Sequence, residues 1–587
     1  MPRCCTLPPL MFSRPPIYAF PPCWFRTSRL SPDHEEEDEC YAHLLQRCAQ
    51  TSDLRLGTAI HSQLLKRPFL HSSLFLQNHL LNMYFKCCRE PSLPLHLFDQ
   101  MPLRNVVTWS AAIAGLVQCG RPLQALSLFY DMHREGVRPN EFALVSALNA
   151  ASLSDGCSQA RQIYSQVIRL GFDSNVFLIN AFLMSLIRNG RMEEAAEVFD
   201  KYGDKDVVSW NSMLAGYLQC SYSDLWRFWC RMSRAGLRPD EFSFSSVLTG
   251  LAKASCLRSG VQVHGQVVRH GHGEDVCVGN SLVEMYQKNK DLVSSSKAFA
   301  EMPWRDVVSW TQMAAGALDC GQPAEALRIV DQMKLAGVRP NKFTLATMFN
   351  AYSSLTSLEE GRKAHGYRIK LGDDVDECVD NALVDMYAKC GSTSSALQVF
   401  RSMKQRSVIS WTAMIMGLAQ NGRGREAAEA FDEMIAEKVR PNYITLICVL
   451  YACGQGRLVE KGRRYFDSME RDHGIVPGED HYACMVDLLG KAGCIAEAEE
   501  LIRSMISKPG VLVWQTLLGA CQLHGDVETG KRAAEQALAM EEKDPSTYVL
   551  LSNMFADAKN WAVAERIREL MEEREVRKMP GSSWTGA

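Results

Sequence analysis

The chain has 587 residues, of which 47% are hydrophobic and 22% charged, and its formal net charge is −3. This length exceeds what one hydrophobic core organises, so we expect several domains or one long array of repeats. The composition excludes wholesale disorder, and no uninterrupted apolar run is long enough to cross a bilayer, so no membrane association is expected. The charge also excludes a uniformly cationic surface, so any nucleic-acid binding must depend on local arrangement.

The first thirty residues differ in composition from the rest of the chain. They contain four arginines, several prolines and no acidic residue, and an acidic run, DHEEEDE, follows at 33–39. Such a segment is typical of an organelle transit peptide. We predict a transit peptide and disordered leader over 1–32 and an acidic linker over 33–37. The arginines and few serines favour the mitochondrion, with the chloroplast or both organelles as alternatives, and the other interpretation is an unstructured tail.

The 21 cysteines occur as adjacent pairs or scattered singles, and no C-x-x-C is present. Without that spacing neighbouring thiolates cannot build the usual zinc knuckle. We therefore predict no metal and no cofactor, and interpret the cysteines as buried, reduced thiols in a reducing compartment.

A four-residue phrase recurs along the chain. VVSW stands at 207–210 and 307–310, with near-copies VVTW at 106–109 and VISW at 408–411, and the four tryptophans are 101, 100 and 101 residues apart. Such a constant spacing is typical of a repeat architecture.

Three units lie between successive phrases, most clearly 307–341, 342–376 and 377–407, which have 35, 35 and 31 residues. Each contains two apolar stripes around a break of small residues, which predicts two short amphipathic helices and a turn. Equivalent units are 38–73, 74–105, 106–140, 141–175, 176–206, 207–240, 241–275, 276–306, 408–442, 443–478 and 479–510. The segment 38–510 is thus predicted to hold about thirteen to fourteen repeats.

A helix pair of this size cannot bury its apolar face alone, so neighbouring pairs must stack. The expected fold is all-α: an α-solenoid, a right-handed superhelix of helix-turn-helix repeats. The repeated tryptophans and the Met-Tyr pairs at 83–84, 285–286 and 386–387 fall at helical spacing, and we interpret them as packing residues.

The unit lengths and three motifs resemble plant pentatricopeptide-repeat (PPR) proteins of the PLS subclass, in which P, L and S units alternate. VVSWNSMLAGY at 207–217 opens a P unit, EGRKAHG at 360–366 lies in an L unit, and NALVDMYAKCG at 381–391 lies in an S unit. The segment 511–584 resembles the E domain of this subclass, with extension motifs at 511–544 and 545–584. Residues 585–587 remain as a tail.

The resemblance implies a non-catalytic protein. Family members with their own cytidine deaminase continue into a DYW domain, for which there is no room after Trp584. A zinc deaminase needs H-x-E together with C-x-x-C. The tripeptide His133-Arg134-Glu135 matches H-x-E but has no C-x-x-C to complete a site, so we expect a solvated helix face there.

In the family that the chain resembles, one repeat faces one RNA base, which two or three side chains recognise. The resemblance assigns this role to residue five and the last residue of each unit. In the P units residue five follows the tryptophan, and small polar side chains there suit the exposed edges of single-stranded bases. The alternative is helix capping. We expect the hydroxyl before the tryptophan to serve as the cap, at Thr108, Ser209, Ser309 and Ser410.

The resemblance then implies one base for each polar pair. Adenine is implied for Ser110 with Asn140, Thr311 with Asn341 and Thr412 with Asn442. Uracil is implied for Asn180 with Asp206, Asn211 with Asp240 and Asn280 with Asp306. Asn78 with Asn105 implies a pyrimidine, Asn381 with Ser407 cytosine, and Ser245 with Asp275 guanine. No base is implied by Val145, Ala346, Ile447, Ala483 or Gly510. From the unit at 74–105 to that at 408–442 the target is Y-A-N-U-U-(G)-U-A-N-C-A.

The function implied is sequence-specific binding of single-stranded organellar RNA, as the site-recognition factor for C-to-U editing four nucleotides beyond the base facing 479–510. A DYW-type deaminase would act in trans, with multiple organellar RNA editing factor proteins as possible further partners. One alternative keeps RNA binding but serves splicing, stability or translation. A second is a protein-binding scaffold resembling tetratricopeptide arrays, whose 34-residue period fits this chain less well.

Overall fold

A computed structural model describes residues 32–66, 73–88, 90–154, 156–203, 205–372, 376–505, 508–574 and 576, with side chains from residue 38 onward. These ranges contain 32 α-helices and no strand, which confirms the all-α prediction. Residues 1–31 of the predicted transit peptide and the tail at 585–587 lie outside the described residues. No helix in the described ranges is long and apolar enough to cross a membrane.

The chain divides after Ala254 into two compact units, each a stack of helix pairs. The helices of the first are α1 (Pro32–Thr51), α2 (Leu54–Leu65), α3 (Leu74–Cys87), α4 (Ser92–Gln100), α5 (Val106–Gln118), α6 (Pro122–Arg134), α7 (Glu141–Leu153), α8 (Cys157–Arg169), α9 (Val176–Arg188), α10 (Met192–Lys201), α11 (Val207–Cys220), α12 (Tyr222–Arg234) and α13 (Glu241–Lys253).

The second compact unit holds the remaining nineteen helices in the same alternation. They are α14 (Leu257–His270), α15 (Val276–Lys288), α16 (Leu292–Glu301), α17 (Val307–Asp319), α18 (Pro323–Leu335), α19 (Lys342–Ser354), α20 (Leu358–Leu371), α21 (Glu377–Lys389), α22 (Thr393–Ser402), α23 (Val408–Gln420), α24 (Gly424–Ala436), α25 (Tyr443–Gly456), α26 (Val459–Arg471), α27 (Glu479–Lys491), α28 (Ile495–Arg503), α29 (Val511–His524), α30 (Val527–Met540), α31 (Pro545–Asp557) and α32 (Trp561–Glu573).

Every predicted repeat boundary from residue 74 to residue 545 is the first residue of a helix. The boundary at 38 is different, because α1 begins at Pro32. The backbone of the predicted acidic linker, 33–37, is therefore helical. Proline and acidic residues both favour the first turn of a helix, so the composition that resembles a linker also fits a helix start.

Each repeated tryptophan packs edge-on against a phenylalanine from the second helix of the preceding S unit. The ring centroids are 5.0 Å apart for Phe98 and Trp109, 4.9 Å for Phe199 and Trp210, 4.9 Å for Phe299 and Trp310, and 4.8 Å for Phe400 and Trp411. Edge-to-face aromatic pairs at this distance stabilise a core beyond the area they bury. The VVSW-type motif therefore recurs about every hundred residues because the same Phe–Trp contact is repeated wherever a P unit follows an S unit.

A basic residue just before the P unit packs against the same phenylalanine. The guanidinium groups of Arg104, Arg305 and Arg406 lie over these phenylalanine rings at 4.6, 5.0 and 5.4 Å. Arg305 also donates to the carbonyls of Phe299 and Ala300, at 2.8 and 2.6 Å. Cation–π contact and hydrogen bonds thus fix the loop that leads into each P unit.

The L and S units are joined by a second recurring contact. A Cβ added at Gly361 would lie 2.5 Å from the sulfur of Met386, and the Nδ1 of His365 is hydrogen-bonded to the Tyr387 hydroxyl at 3.0 Å. The same arrangement joins Gly57, His61, Met83 and Tyr84, and again Gly260, His264, Met285 and Tyr286. Burial lowers the pKa of all three histidines, so the bond forms with a neutral ring. The Met-Tyr pairs are packing residues in the structure.

The prediction of buried thiols holds for only part of the set. Of the 18 described cysteines, four are buried: Cys48, Cys448, Cys453 and Cys521. Four others are exposed and ten are half-buried, because many of them lie at helix ends rather than in the helix interface. Burial raises the pKa of Cys448 to about 11 and that of Cys453 to about 12, which makes these thiols poor nucleophiles.

Candidate nucleic-acid interface

The last residue of a unit is the N-cap of the helix that opens the next unit. Asp240 has an extended conformation, and its carboxylate accepts a hydrogen bond of 2.8 Å from the backbone N–H of Ser243. Asp306 caps α17 through Ser309 in the same way. The expectation that the hydroxyl before the tryptophan is the cap was wrong. That hydroxyl lies three residues into the helix, where in α17 it completes a capping box.

Around this cap, residue five and the last residue of one unit meet residue three of the next unit, and we call these three side chains a junction cluster. In the cluster of Asn211, Asp240 and Ser243, the Asn211 amide donates to both carboxylate oxygens of Asp240 at 2.9 and 3.0 Å. The Ser243 hydroxyl donates to Asn211 Oδ1 at 2.5 Å. Because a carboxylate only accepts, Asp240 forces the Asn211 nitrogen towards itself, and Ser243 holds the oxygen. One N–H and one lone pair of Asn211 remain for a ligand.

Three other clusters are closed through the hydroxyl of residue three. Thr311 and Thr344 are 2.6 Å apart at their hydroxyl oxygens, and Thr344 donates to Asn341 at 3.0 Å. The second cluster joins Thr412, Asn442 and Thr445 at 2.7 and 2.9 Å, and the third joins Asn78, Asn105 and Thr108 at 2.8 and 3.0 Å. The structure therefore brings these predicted pairs together, with a third residue between their members.

Two predicted pairs are joined directly, without that bridge. Ser110 donates to Asn140 at 2.9 Å, and residue three of the next unit is Ala143, which has no hydroxyl. Asn180 donates to Asp206 at 3.4 Å, while Ser209 donates to Asp206 at 2.6 Å and does not bond to Asn180. Residue five is buried in both units. A ligand would therefore meet the cap, which is the half-buried Asn140 or the exposed Asp206, before residue five.

Other predicted pairs are not joined by a hydrogen bond. Asn280 and Asp306 make none with each other, nor do Asn381 and Ser407. The Oδ1 atoms of Asn280 and Asn381 are buried and have no partner among the described residues. An unpaired buried acceptor costs about 1–3 kcal/mol.

Ser245 and Asp275 belong to different compact units, so each is described alone. Asp275 caps α15 through the N–H of Val278 at 2.9 Å. The Ser245 hydroxyl is buried and has no hydrogen-bond partner among the described residues.

The sequence analysis missed an exposed apolar side chain at residue two of many units. The exposed fraction reaches 57% for Val208, 58% for Phe177 and 62% for Ile409. The other exposed members are Phe142, Phe242, Val308, Phe343, Ile444 and Leu512. The available signal was an apolar residue at a helix start, outside the stripe that faces the core. These flat apolar surfaces stand three residues before the polar residue five.

The sequence analysis assigned residue three to capping alone. The residue type at this position also depends on the class of the preceding unit. A hydroxyl follows seven of the eight P and S units that have a polar residue five: Thr108, Ser209, Ser243, Ser309, Thr344, Ser410 and Thr445. After the L units the same position holds Leu178, Val278, Val379 and His481. The hydroxyl thus accompanies units with a polar pair. The signal was present in the sequence, but only the structure shows the contact with residue five.

The H-x-E tripeptide makes one contact within its own helix and one with the preceding unit. His133 Nδ1 is 2.9 Å from the Phe129 carbonyl, and Glu135 forms an ion pair with Arg104 at 3.3 Å. Across the described residues no group of three or more His, Cys, Asp and Glu side chains is placed to hold a metal ion. The tripeptide therefore stabilises its helix end.

The sequence matches three family models. The PPR repeat family model covers 104–151, 205–253, 305–354 and 406–455, and the PPR repeat model covers 178–207, 381–408 and 480–509. The E motif model covers 524–586. The matches to the two repeat models begin near the starts of predicted P and S units, and the three models together cover more than half of the chain.

Curated relatives from Arabidopsis thaliana align with nearly the whole chain. Pentatricopeptide repeat-containing protein At4g33170 is 36% identical over 94% of this chain, which spans 56% of that relative. At4g19191, named mitochondrial, is 34% identical over 94% of this chain and 84% of its own length. At3g49170, named chloroplastic, is 33% identical over 93% of this chain and 65% of its own length.

Among solved structures, the pentatricopeptide repeat protein PPR10 from maize superposes with a TM-score of 0.60 at 17% identity, covering 94% of each chain. PPR10 in complex with an 18-nt psaJ RNA element gives 0.56 at 16% identity, covering 93% of this chain and 88% of that one. At these identities the likeness establishes the solenoid fold alone. Taken with the family matches and the relatives, it shows that the chain belongs to the pentatricopeptide-repeat family and carries that family's E motif.

Proposed function

We propose that this protein binds single-stranded RNA in a sequence-specific manner and serves as a site-recognition factor for organellar C-to-U editing. The observation that carries the proposal is the junction cluster of Asn211, Asp240 and Ser243 between two exposed apolar side chains, Val208 and Phe242. An unstacked base needs an apolar surface for its face and polar groups for its edge, and this junction offers both.

The chemistry of this cluster fits uracil. Ser243 and Asp240 fix the Asn211 amide so that one N–H and one carbonyl lone pair remain unused. The Watson–Crick edge of uracil presents a carbonyl acceptor beside an N–H donor, which complements such an amide. The clusters of Thr311 and Thr412 instead present hydroxyl groups, in keeping with a different base at those units.

The family supports the same ligand class. The PPR10 complex contains an 18-nt RNA element, and the fold of that protein is the fold of this chain. The formal charge of −3 gives little general attraction to phosphates, so affinity must come from the sum of base contacts along the array. We assign to each polar pair the base given in the sequence analysis.

The editing role rests on the E motif at 524–586 and on the order of the units. The assignment of deamination to a DYW-type partner in trans is part of this proposal, as is assistance by multiple organellar RNA editing factor proteins. The compartment that we propose is the mitochondrion. The names of the relatives point to an organelle and include both mitochondrial and chloroplastic proteins.

RNA recognition is tested by binding of the full chain to an RNA of sequence C-A-N-U-U-G-U-A-N-C-A. Replacing both central uridines with adenosines should weaken binding by at least tenfold, since a mismatched base in a specific complex costs about 1–3 kcal/mol. The matched control replaces the third and ninth nucleotides, which face Val145 and Ala346 and should tolerate any base. Equal affinity for all three RNAs would refute the base assignment.

The editing role needs a separate experiment. In plants that lack this protein, sequencing of organellar transcripts should show loss of editing at one or a few cytidines preceded by the target sequence. Fully edited transcripts with retained introns or altered abundance would refute the editing role and favour the splicing or stability alternative.

A further inference from the structure

Residue six of each unit lies directly after the proposed base-binding residue, and one unit between 106 and 510 carries a long polar side chain there. Unit 307–341 has Gln312 at this position. The other units in this segment have small residues: Ala111, Ser146, Ala181, Ser212, Ser246, Ser281, Thr347, Ala382, Ala413, Cys448 and Cys484. A glutamine side chain brings one carbonyl acceptor and two donor hydrogens. Gln312 therefore adds an amide that the other units lack at residue six.

The side chain of Gln312 reaches back to the preceding unit. Its Nε2 donates to the backbone carbonyl of Asn280 at 3.2 Å, and Asn280 is residue five of unit 276–306. Cys484 is directed in the same way, since its thiol lies 3.9 Å from the carbonyl of Ile447, which is again residue five of the preceding unit. Residue six thus faces residue five of the unit before it, and in Gln312 this places an amide beside Asn280.

Gln312 also shares a face of α17 with the exposed apolar side chain at residue two. Val308 is 48% exposed and stands four residues before Gln312. Residues four apart in a helix lie on the same face, one above the other. Gln312 itself is half-buried. A base that unit 276–306 holds against Val308 would therefore meet the Gln312 amide in the same site.

Among the three asparagines assigned to uracil, Asn280 is the one that its own junction cluster does not hold. Asn211 donates to Asp240, and Asn180 donates to Asp206. The Oδ1 atom of Asn280 is instead buried, and it has no hydrogen-bond partner among the described residues. The amide from the next unit therefore lies beside the base-binding residue whose own polar groups are least engaged.

The single hydrogen bond of Gln312 leaves part of its amide for a ligand. The second hydrogen of Nε2 and the Oε1 atom have no hydrogen-bond partner among the described residues. Uracil presents a carbonyl on each side of its N3–H, so its Watson–Crick edge needs two donors and one acceptor. One asparagine amide supplies one donor and one acceptor, which leaves a carbonyl of uracil unpaired. Gln312 supplies the missing donor.

We propose that Gln312 is a further specificity-determining residue, which donates to the second carbonyl of the uracil bound at unit 276–306. Adenine has no carbonyl and cannot accept this hydrogen bond, so Gln312 increases the preference for uracil at the seventh nucleotide of the target. The inference rests on the proposed RNA-binding function. It adds to that function a contact that residue five and the last residue of the unit do not provide.

The experiment measures binding of the full chain to RNAs of sequence C-A-N-U-U-G-U-A-N-C-A that carry uridine or adenosine at position seven. Gln312→Met keeps the length of the side chain but removes the amide. It should reduce the preference for uridine at position seven by about threefold to tenfold, the effect of one hydrogen bond. Ser212→Ala is the matched control, because Ser212 is also residue six but donates to the Val208 carbonyl of its own helix at 2.9 Å. It should leave the preference for uridine at position four unchanged.

Discrimination between uridine and adenosine at positions four and five serves as an internal reference in every measurement. A loss of preference at position seven alone, in Gln312→Met, establishes the contact. An unchanged preference at position seven, or an equal loss of affinity for both RNAs, would show that Gln312 only joins α17 to α15 and would overturn this contact alone. A wild-type chain that is folded by circular dichroism yet indifferent at all three uridines would overturn the proposed function as well.

Discussion

The hydroxyl at residue three has two separable roles, and a pair of equivalent serines distinguishes them. Ser243 and Ser309 each donate to the capping aspartate at 2.8 Å and accept from its backbone N–H at 3.3 Å. Only Ser243 also lies within hydrogen-bond distance of residue five, because its single proton is shared between Asp240 and the Oδ1 of Asn211, which is 2.5 Å away. Alanine at either position removes the capping box, whereas alanine at 243 also releases Asn211. The difference between the two variants isolates that one contact.

The expected magnitudes follow from these contacts. Loss of the capping box should destabilise either helix start by about 0.5–1 kcal/mol. Releasing the Asn211 oxygen should add about 1 kcal/mol, the net contribution of one intramolecular hydrogen bond. Ser243→Ala should therefore raise the opening equilibrium constant of the first turns of α13 by roughly five times the factor that Ser309→Ala produces in α17, since 1.4 kcal/mol corresponds to about tenfold.

Native-state hydrogen exchange is the suitable assay, because repeat arrays open locally and a global unfolding free energy averages over many units. The amides of the first two turns of α13 and α17 are followed in both variants. A double-mutant cycle with Asn211→Ala should give a coupling of about 1 kcal/mol with Ser243. The corresponding cycle of Asn280→Ala with Ser309→Ala should give none. Equal effects of the two serine substitutions, or equal couplings, would refute the two-role interpretation.

Three further predictions concern the scaffold. Gly417→Ala would place a methyl group 2.6 Å from the Cβ of Ala388 on a packed neighbouring helix, so it should lower the free energy of unfolding in urea by about 1–3 kcal/mol. A methyl group at Gly366 would have no atom within 4 Å, so Gly366→Ala should be neutral or stabilising. Asp380 binds Arg368 at 2.5 Å, and both side chains are at most 12% exposed, so Asp380→Asn would leave a buried arginine unpaired and should lower the free energy of unfolding by about 3 kcal/mol. Substitution of both residues by hydrophobic ones should restore much of that stability. An equal loss in the double variant would contradict the ion-pair argument. Burial lowers the pKa of His79 to about 4, so the unfolded chain binds a proton before the folded chain does, and stability should fall as the pH drops from about 6.5 towards 4. His79→Gln should reduce that slope by up to one proton in pH-dependent denaturation, and an unchanged slope would argue against a neutral His79.

The repeat boundaries were predictable because the chain marks them with local signals. Most boundaries carry a polar capping residue, an apolar stripe at helical spacing and a glycine or proline in the preceding loop, and these signals act within a few residues. The spacing of the tryptophans could be read from the sequence for the same reason. Their partner could not, because the phenylalanines that meet them belong to the preceding unit.

The sequence assigns base binding to certain positions, but it does not predict how the side chains at those positions are arranged. The family pattern names residue five and the last residue, and the structure joins Asn211 to Asp240 while leaving Asn280 without a hydrogen bond to Asp306. Both pairs have the same side chains and the same serine beyond the cap. What differs is the approach of one helix start to the next, which packing of the whole junction determines.

The sequence alone predicted the all-α fold class and the helix starts from residue 74 to residue 545, since these depend on local propensity and periodicity, and the resemblance of its motifs indicated the family. Only the tertiary structure decided which polar side chains meet and which amide groups remain unpaired: Asn211 is bonded to Asp240, whereas the Oδ1 of Asn280 has no partner among the described residues. Such contacts join residues about thirty positions apart across two separately formed helices, and a hydrogen bond requires placement to within a few tenths of an ångström. No local pattern specifies a distance that finely.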